Sequence, residues 1–250
     1  IAWLREEKRD LRSFHSAMFT AAHAFGLCGL YFVVSGDMGN GLVFLFIFIC
    51  MAFVAGFALR WFALLLGGGA AAVIAAWNLD LMPSYMKDRF IVLFDHSYEP
   101  LDAGWQQTRS LLTLGSGGVF GQGYLNGTQT QSGYGTSLPA RWTDFIFSVA
   151  GEELGMIGCV AILLLLTAII VRVLLVAKNA QTPFHCYVCV GMASMLLFQT
   201  MINVGMCLFV MPVIGITLPF FSYGGTSLVM LLAQMGILLS ISRTSNVDKV

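Results

Sequence analysis

Six stretches of the chain are apolar for long enough to cross a lipid bilayer as α-helices. They cover residues 14–34, 41–59, 61–77, 145–177, 184–211 and 220–241. A hydrocarbon core about 30 Å thick needs roughly 20 apolar residues in a helix. Only 13 basic and 13 acidic residues occur among the 250, and soluble domains carry about 25% charged residues. We therefore predict an all-α, polytopic membrane protein with six transmembrane helices.

Two of these stretches, 145–177 and 184–211, are longer than one membrane span requires. We expect them to tilt, to project beyond the bilayer or to be broken. The formal net charge of the chain is zero, so it offers no basic face of the kind that binds nucleic acid. We expect contact with membrane lipids and no nucleic-acid partner.

The basic residues predict the orientation of the spans. With a cytoplasmic N-terminus, nine basic residues lie inside and four lie outside, and an excess of Lys and Arg is typical of the cytoplasmic side. The inside set is Arg5, Lys8, Arg9, Arg12, Arg60, Arg172, Lys178, Arg243 and Lys249. Both termini are then cytoplasmic, and the chain 1–250 forms one membrane domain with a long outer loop at 78–144.

The outer loop 78–144 is expected to be ordered. It contains several aromatic residues and an amphipathic stretch at Trp105–Leu114. We predict short interfacial helices and ordered turns that lie against the membrane.

Charged side chains in the loop form the first candidate site. Lys87, Arg89 and Arg109 could bind a phosphorylated lipid headgroup, because guanidinium groups match phosphate oxygens. Acidic residues, including Glu99 and Asp102, lie between them. The alternative is an ordinary solvated surface.

A glycine-rich segment forms the second candidate site. It runs through Gly115-Ser116-Gly117-Gly118, Gly121-Gln122-Gly123 and Gly127-Thr128-Gln129. Glycines allow backbone conformations in which consecutive N–H groups surround an anion. Ser116, Gly117 and Gly118 are therefore candidate substrate-binding residues, and simple turn formation is the alternative.

The third candidate is an acid where a span meets the outer surface. Pro139 ends any preceding helix, and Thr143 or Asp144 could cap the helix that follows. Asp144 also lies beside Trp142 and Phe145. Partial burial there would raise the pKa of Asp144 and make it a better base. Both roles remain open for Asp144 on the residues alone.

Other polar residues lie within the apolar stretches. Glu152 and Glu153 lie about two turns into an apolar helix, where an acid needs a function or a buried partner. We expect them to be structural, pairing with an Arg or capping another segment. Gln199 and Asn203 share a helix face and are expected to form interhelical hydrogen bonds.

The approach to the last span is irregular. Pro212 and Pro219 precede Ser222-Tyr223-Gly224-Gly225. This pattern predicts a broken or re-entrant segment, which is tolerated only where it is buried in protein or lines a cavity. Ser222 and Tyr223 are expected to support a site there.

These motifs together resemble the SEDS family (shape, elongation, division and sporulation). The resemblance is carried by the glycine-rich segment, by Thr143-Asp144-Phe145-Ile146-Phe147, by Gly151-Glu152-Glu153-Leu154-Gly155 and by Ser222-Tyr223-Gly224-Gly225-Thr226-Ser227. It covers the chain from about Asp37 to Arg243. Gly127-Thr128-Gln129-Thr130-Gln131 is closer to the RodA (elongation) branch than to the FtsW (division) branch.

The resemblance implies a peptidoglycan glycosyltransferase of cell elongation or division. Members polymerise lipid II at the outer face of the bacterial cytoplasmic membrane, release undecaprenyl diphosphate and work with a class B penicillin-binding protein. It implies that Asp144 is catalytic and that Arg89 is the basic residue of the loop. A divalent cation such as Mg²⁺ is a possible cofactor, and its ligands are unknown. The family usually has about ten spans, so we expect the first three or four to be missing here.

Two other functions are compatible with the sequence. A lipid II flippase would need polar residues along a transmembrane path and on both faces, whereas the polar clusters here are external. A non-catalytic scaffold of the cell-wall machinery would leave Asp144 replaceable.

Overall fold

The computed structural model describes residues 1–7, 10–35, 38–95, 104–131 and 138–247. Within these ranges every regular element is a helix, which confirms the all-α prediction. The helices are α1 (Ala2–Glu6), α2 (Phe14–Ser35), α3 (Met38–Ala55), α4 (Leu59–Asn78), α5 (Ser84–Phe94), α6 (Trp105–Ser116), α7 (Ile146–Lys178), α8 (Pro183–Cys207) and α9 (Gly225–Val247). Asp37, Glu99, Asp102 and the predicted cytoplasmic residues Lys8, Arg9 and Lys249 lie outside the described residues.

Each of the six predicted spans corresponds to a helix. Five helices are long and apolar enough to cross a membrane: α2, α4, α7, α8 and residues Gly225–Thr244 of α9. The apolar part of α3, Gly39–Ala55, is shorter. Helix α3 ends because Gly56 adopts a φ of +89°, and the N–H of Phe57 then donates to the carbonyl of Ala52 at 3.2 Å. This left-handed glycine is a common helix terminator.

The chain divides into two compact units. The first unit contains residues 1–75, 168–198 and 229–250, and the second contains residues 76–167 and 199–228. The core of the first unit includes Ala17, Ala52, Phe57 and Tyr187. There the guanidinium of Arg5 donates to the Tyr187 hydroxyl at 2.8 Å.

The second unit holds the predicted outer loop. Helix α6 is amphipathic, as predicted, and its polar face points inward: Gln107, Ser110 and Thr113 are buried. Leu111 and Leu112, by contrast, are 43% and 55% exposed. Such inverted polarity suits a helix that faces lipid, because its buried polar groups find partners inside the protein.

Helix α7 is broken at Gly155, where φ is +71° and ψ is −171°. Residues 117–123, which follow α6, are inserted at this break and are called the inserted segment below. The N–H groups of Gln122 and Gly123 donate to the carbonyls of Glu152 and Glu153, at 2.8 and 3.0 Å. The long stretch 145–177 is thus broken, one of the three outcomes expected for it.

The other side of the break uses the same segment. The N–H groups of Met156 and Ile157 donate to the carbonyls of Gly118 and Val119, at 3.0 and 3.3 Å. In a continuous helix each N–H bonds the carbonyl four residues earlier, so Met156 would donate to Glu152. The inserted segment therefore replaces two bonds within the helix by four bonds to itself.

The inserted segment lies deep along α7. Met156 is ten residues after Ile146, which corresponds to about 15 Å along a helix axis. Residues 117–123 thus run beside the first turns of α7, and the placement of these turns against the membrane stays a prediction.

Candidate active site

Asp144 lies in the turn that leads into α7. The N–H groups of Thr143 and Phe145 both donate to the carbonyl of Ala140, at 3.1 and 3.2 Å, and Ala140 has a φ of +47°. Phe145 is fully buried, whereas Asp144 is half-buried. The turn anchors its apolar residue in the core and leaves the neighbouring carboxylate partly accessible.

Three consecutive carbonyls of this turn accept hydrogen bonds from residues 203–223 of the same compact unit. The N–H of Tyr223 donates to the carbonyl of Trp142 at 2.7 Å. The Ser222 hydroxyl donates to the carbonyl of Thr143 at 2.7 Å. The Asn203 side-chain amide donates to the carbonyl of Asp144 itself at 2.8 Å. The backbone that carries the carboxylate is therefore fixed on three successive residues.

Asn203 is fully buried and bridges two segments. Its Nδ2 also donates to the carbonyl of Ile216 at 2.7 Å, while its Oδ1 has no partner among the described residues. The predicted hydrogen bonds were interhelical, whereas Asn203 joins α8 to the Asp144 turn and to the irregular segment at Ile216, neither of which is helical. Gln199, one turn earlier in α8, is half-buried, and no described residue forms a hydrogen bond with its side chain.

The surroundings of the Asp144 carboxyl raise its pKa. Burial is the main cause, and a hydrogen bond from Thr143 acts in the opposite direction. A Cβ atom added to Gly215 would lie 3.9 Å from Oδ2 of Asp144, so the carboxylate lies beside this glycine. Gly215 has a φ of +72°, a conformation that favours glycine. The sequence analysis missed this residue; its position after Pro212 in an irregular segment was the available indication.

Arg89 contacts the same irregular segment. Its Nη1 donates to the carbonyl of Val213 at 2.5 Å, and its guanidinium lies 5.8 Å from the centre of the Tyr85 ring. Two residues of extended chain span at most about 7 Å. Arg89 therefore contacts Val213, and the Asp144 carboxylate lies beside Gly215 two residues later, so a cation and a carboxylate border the same segment.

The other two predicted cations have different surroundings. Lys87 forms an ion pair with Asp80 and lies 5.6 Å from the centre of the Trp77 ring. Its hydrogen bond to Asp80, together with its charge, lowers the pKa of that carboxyl. Arg109 lies 6.0 Å from the Trp105 ring and is two residues after Gln107, so the two side chains leave α6 on different faces. The structure brings only Arg89 to the Val213–Gly215 stretch, and substrate contacts of Lys87 and Arg109 stay predictions.

The candidate anion-binding glycines are packed against α7. The Ser116 hydroxyl lies 3.1 Å from Oε1 of Glu152. A Cβ atom added to Gly117 would lie 2.8 Å from the Cα of Glu152. The carbonyl of Gly118 accepts a bond at the break in α7, as described above. Close packing accounts for Gly117, a hydrogen bond for Ser116 and a φ of +56° for Gly118, and a role in substrate binding stays a prediction.

A backbone pocket for an anion does form in this region. The consecutive N–H groups of Gln129 and Thr130 donate to the two carboxylate oxygens of Glu152, at 2.8 and 2.9 Å. Such paired N–H donors form an anion-binding nest. The nest is occupied by a carboxylate of the chain itself. Glu152 thus caps another segment, and Glu153 accepts a bond from the Gln131 side chain at 3.1 Å.

An apolar cavity adjoins the broken helix in the second unit. Its volume is about 550 Å³, and its lining includes Leu111, Leu114, Phe147, Cys159 and Leu208. These side chains come from α6, α7 and the residue that follows α8. The cavity provides space for an aliphatic chain.

Comparison with known proteins decides the family. The sequence model of the FtsW, RodA and SpoVE family of cell cycle proteins matches residues 1–247. The chain belongs to this family. The match confirms the SEDS resemblance of the motifs around Asp144 and in 222–227.

Relatives of this family member include enzymes and a sporulation protein. Peptidoglycan glycosyltransferase MrdB of Escherichia coli K12 is 37% identical over 205 residues, which cover 82% of this chain and 54% of MrdB. Stage V sporulation protein E of Bacillus subtilis 168 is 36% identical over 97% of this chain and 64% of its own length. A probable peptidoglycan glycosyltransferase FtsW of Geobacter sp. M18 is 35% identical. The chain thus spans between about half and two thirds of the lengths of these relatives.

Solved structures of the family share the fold. A chain of a peptidoglycan synthase complex, solved for its coordination of polymerization and crosslinking, matches with a TM-score of 0.75 and 32% identity, over 94% of this chain and 64% of its own. The rod shape determining protein RodA of Thermus thermophilus matches with a TM-score of 0.59 and 30% identity, over 90% of this chain and 55% of its own.

The family and the five apolar helices show a multi-pass membrane protein. The identities to MrdB, SpoVE and FtsW proteins are nearly equal, at 37%, 36% and 35%. The RodA branch therefore stays a prediction for this family member.

Proposed function

We propose that this chain carries the active site of a peptidoglycan glycosyltransferase that polymerises lipid II and releases undecaprenyl diphosphate. The observation that supports it most is that Arg89 and the Asp144 carboxylate both border the stretch Val213–Gly215. Relatives named peptidoglycan glycosyltransferase support the same activity.

In the proposed reaction Asp144 acts as the base. Its carboxylate accepts the proton of the attacking sugar hydroxyl, and the oxygen of that hydroxyl forms a bond to the anomeric carbon of the donor. The bond from that carbon to the diphosphate breaks, and its electron pair leaves with undecaprenyl diphosphate. Diphosphate is a good leaving group, so no general acid is needed, and a single displacement inverts the anomeric centre. The positive charge of Arg89 stabilises the negative charge that develops on the leaving group.

The apolar cavity beside α7 is the proposed site of the polyprenyl tail. Its aliphatic and aromatic lining suits a hydrocarbon chain, and it belongs to the same compact unit as Asp144. A prenyl chain in this cavity would hold the diphosphate near the start of α7, beside Asp144.

The described residues do not provide a set of side-chain ligands for a divalent cation. Within the described ranges, no group of three or more His, Cys, Asp or Glu side chains is placed to hold a metal ion. We therefore assign no step to Mg²⁺. Polymerisation in EDTA, with and without added Mg²⁺, measures the requirement directly.

The proposed setting is the bacterial cytoplasmic membrane, with both termini in the cytoplasm and the site on the outer face. A class B penicillin-binding protein is the proposed partner. The relative in a peptidoglycan synthase complex supports it, because that assembly couples polymerization with crosslinking.

The test is polymerisation of labelled lipid II by the chain in liposomes, with and without the class B partner. Asp144→Asn is expected to abolish polymer formation, since the amide cannot accept the proton. Asp80→Asn is the matched control, because Asp80 is a largely exposed acid paired with Lys87, and it is expected to retain activity. Normal polymerisation by a folded Asp144→Asn protein would refute the proposed role. An unmodified chain that transports lipid II without polymerising it would favour a flippase.

A further inference from the structure

One buried acid takes no part in the proposed reaction. Glu152 is completely buried, and its carboxylate forms no ion pair with a described Lys or Arg. Burying a carboxylate is costly unless hydrogen bonds compensate for the lost water. The donors that surround Glu152 must therefore be held firmly in place.

One of these donors is the Ser116 hydroxyl, 3.1 Å from Oε1, and the other three come from the turn Gly127–Thr130. Besides the N–H groups of Gln129 and Thr130, the Thr128 hydroxyl lies 3.3 Å from Oε1 of Glu152. A Cβ atom added to Gly127 would lie 2.9 Å from the carboxyl carbon of Glu152. Only glycine allows the turn to approach this closely, so the turn and the carboxylate fit each other.

The same turn is bonded to the segment that carries Asp144. The carbonyl of Thr130 accepts a hydrogen bond from the Arg141 guanidinium, and the carbonyl of Gln129 accepts one from the N–H of Leu138 at 3.5 Å. Arg141 is three residues before Asp144. A continuous path of contacts therefore leads from Glu152 through Thr130 and Arg141 to the Asp144 turn.

We propose that Glu152 is a positioning residue. Its carboxylate fills the nest formed by Gln129 and Thr130 and thereby fixes, through Arg141, the turn that carries Asp144. This inference rests on the proposed function, because it assigns Glu152 a task in supporting the proposed base. Three bonds from Tyr223, Ser222 and Asn203 hold the turn from one side, and the nest holds it from another.

The experiment compares Glu152→Gln with Glu153→Gln. Both remove one negative charge from adjacent buried residues, but Glu153 accepts a single bond from the Gln131 side chain. In Glu152→Gln an amide NH₂ faces one of the two backbone N–H donors, so the nest no longer holds an anion and one N–H loses its acceptor. Misplacement of a catalytic group by about 1 Å can cost about 100-fold. We expect the kcat for polymerisation to fall about 10- to 100-fold in Glu152→Gln with little change in KM, and Glu153→Gln to stay within about twofold.

A pH profile separates positioning from a loss of folded protein. Burial raises the pKa of Asp144, so a loosened turn that admits water moves the acid limb of kcat to lower pH. Both variants leave the other titratable groups near Asp144 unchanged. These are Arg89 and Cys207, whose Sγ lies 3.9 Å from the Asp144 carbonyl. A purely structural effect would lower the amount of active protein and leave the limb in place.

Arg141→Met keeps the inference testable if Glu152→Gln does not fold. It removes the link to Thr130 and leaves the nest filled. We expect the same shift of the acid limb, and a double variant no worse than the stronger single variant, because both changes interrupt one path. Equal behaviour of Glu152→Gln and Glu153→Gln, or a normal profile for Arg141→Met, would overturn the positioning role. An active Asp144→Asn protein would instead overturn the proposed function.

Discussion

Replacement of Gly155 by alanine tests whether the inserted segment holds the break in α7. If the break persists, the alanine adopts a φ near +71° and ψ near −171°, at a cost of about 1–3 kcal/mol. Its Cβ atom would also lie 2.6 Å from the carbonyl carbon of Phe120, closer than real Cβ atoms approach. The segment would then have to move away from α7.

The alternative is that α7 straightens in Gly155→Ala. Two bonds within the helix are then regained, from Met156 to Glu152 and from Ile157 to Glu153, and the four bonds to the inserted segment are lost. The net loss of two hydrogen bonds costs about 1–3 kcal/mol, and any group of the segment left buried without a partner adds about 1–3 kcal/mol. Both routes give a destabilisation of about 3 kcal/mol.

The assay is thermal unfolding of the purified protein in detergent or nanodiscs. At about 2–4 °C per kcal/mol for a chain of this size, the midpoint should fall by about 6–12 °C. Gly236→Ala is the matched control, because Gly236 lies in α9 with open space around the position of a Cβ atom, and alanine favours a helix by about 0.5–1 kcal/mol. Equal unfolding temperatures for the two variants would refute the role of the inserted segment.

Further expected outcomes concern the site. The polymerisation rate should fall on the acid side at a pH above the ordinary Asp value near 4, because Asp144 must be ionised to accept a proton and burial raises its pKa; a rate profile from pH 4 to 8 checks this. Asn203→Leu should lower the free energy of unfolding by about 2–5 kcal/mol, since two carbonyls lose their donor. In a thermal unfolding assay Gln199→Leu should lower the midpoint temperature much less. Arg89→Gln should lower kcat/KM about 10- to 100-fold, more than Lys87→Gln does in the same assay.

The parts of the fold that depend on local composition were predictable. Apolar runs determined the six helices, and Pro139 with a possible cap at Thr143 or Asp144 indicated that α7 begins near this point. The period of α6 predicted an amphipathic helix. The direction of its polar face was beyond the sequence, because its partners are remote: Ser148, which lies 2.7 Å from the Ser110 hydroxyl, and the carbonyl of Met211, which accepts a bond from Gln107.

Features that join distant parts of the chain were not fixed by local patterns. The glycine-rich segment predicted an anion nest, but its occupant, Glu152, comes more than 20 residues later. The break at Gly155 was one of three outcomes because it depends on residues 118–123. The selection of Arg89 over Lys87 depends on Val213, which lies 124 residues farther along the chain.

The broken α7 also has a consequence for biosynthesis. Residues 118–123 are translated before the helix that they divide, and residues 146–178 are apolar enough to enter the bilayer as one continuous rod. Residues 118–123 can therefore dock after α7 has inserted. The helix then breaks at Gly155, and its internal hydrogen bonds are replaced by bonds to residues 118–123. Maturation of this protein would then include a step within the lipid phase, after α7 has left the ribosome.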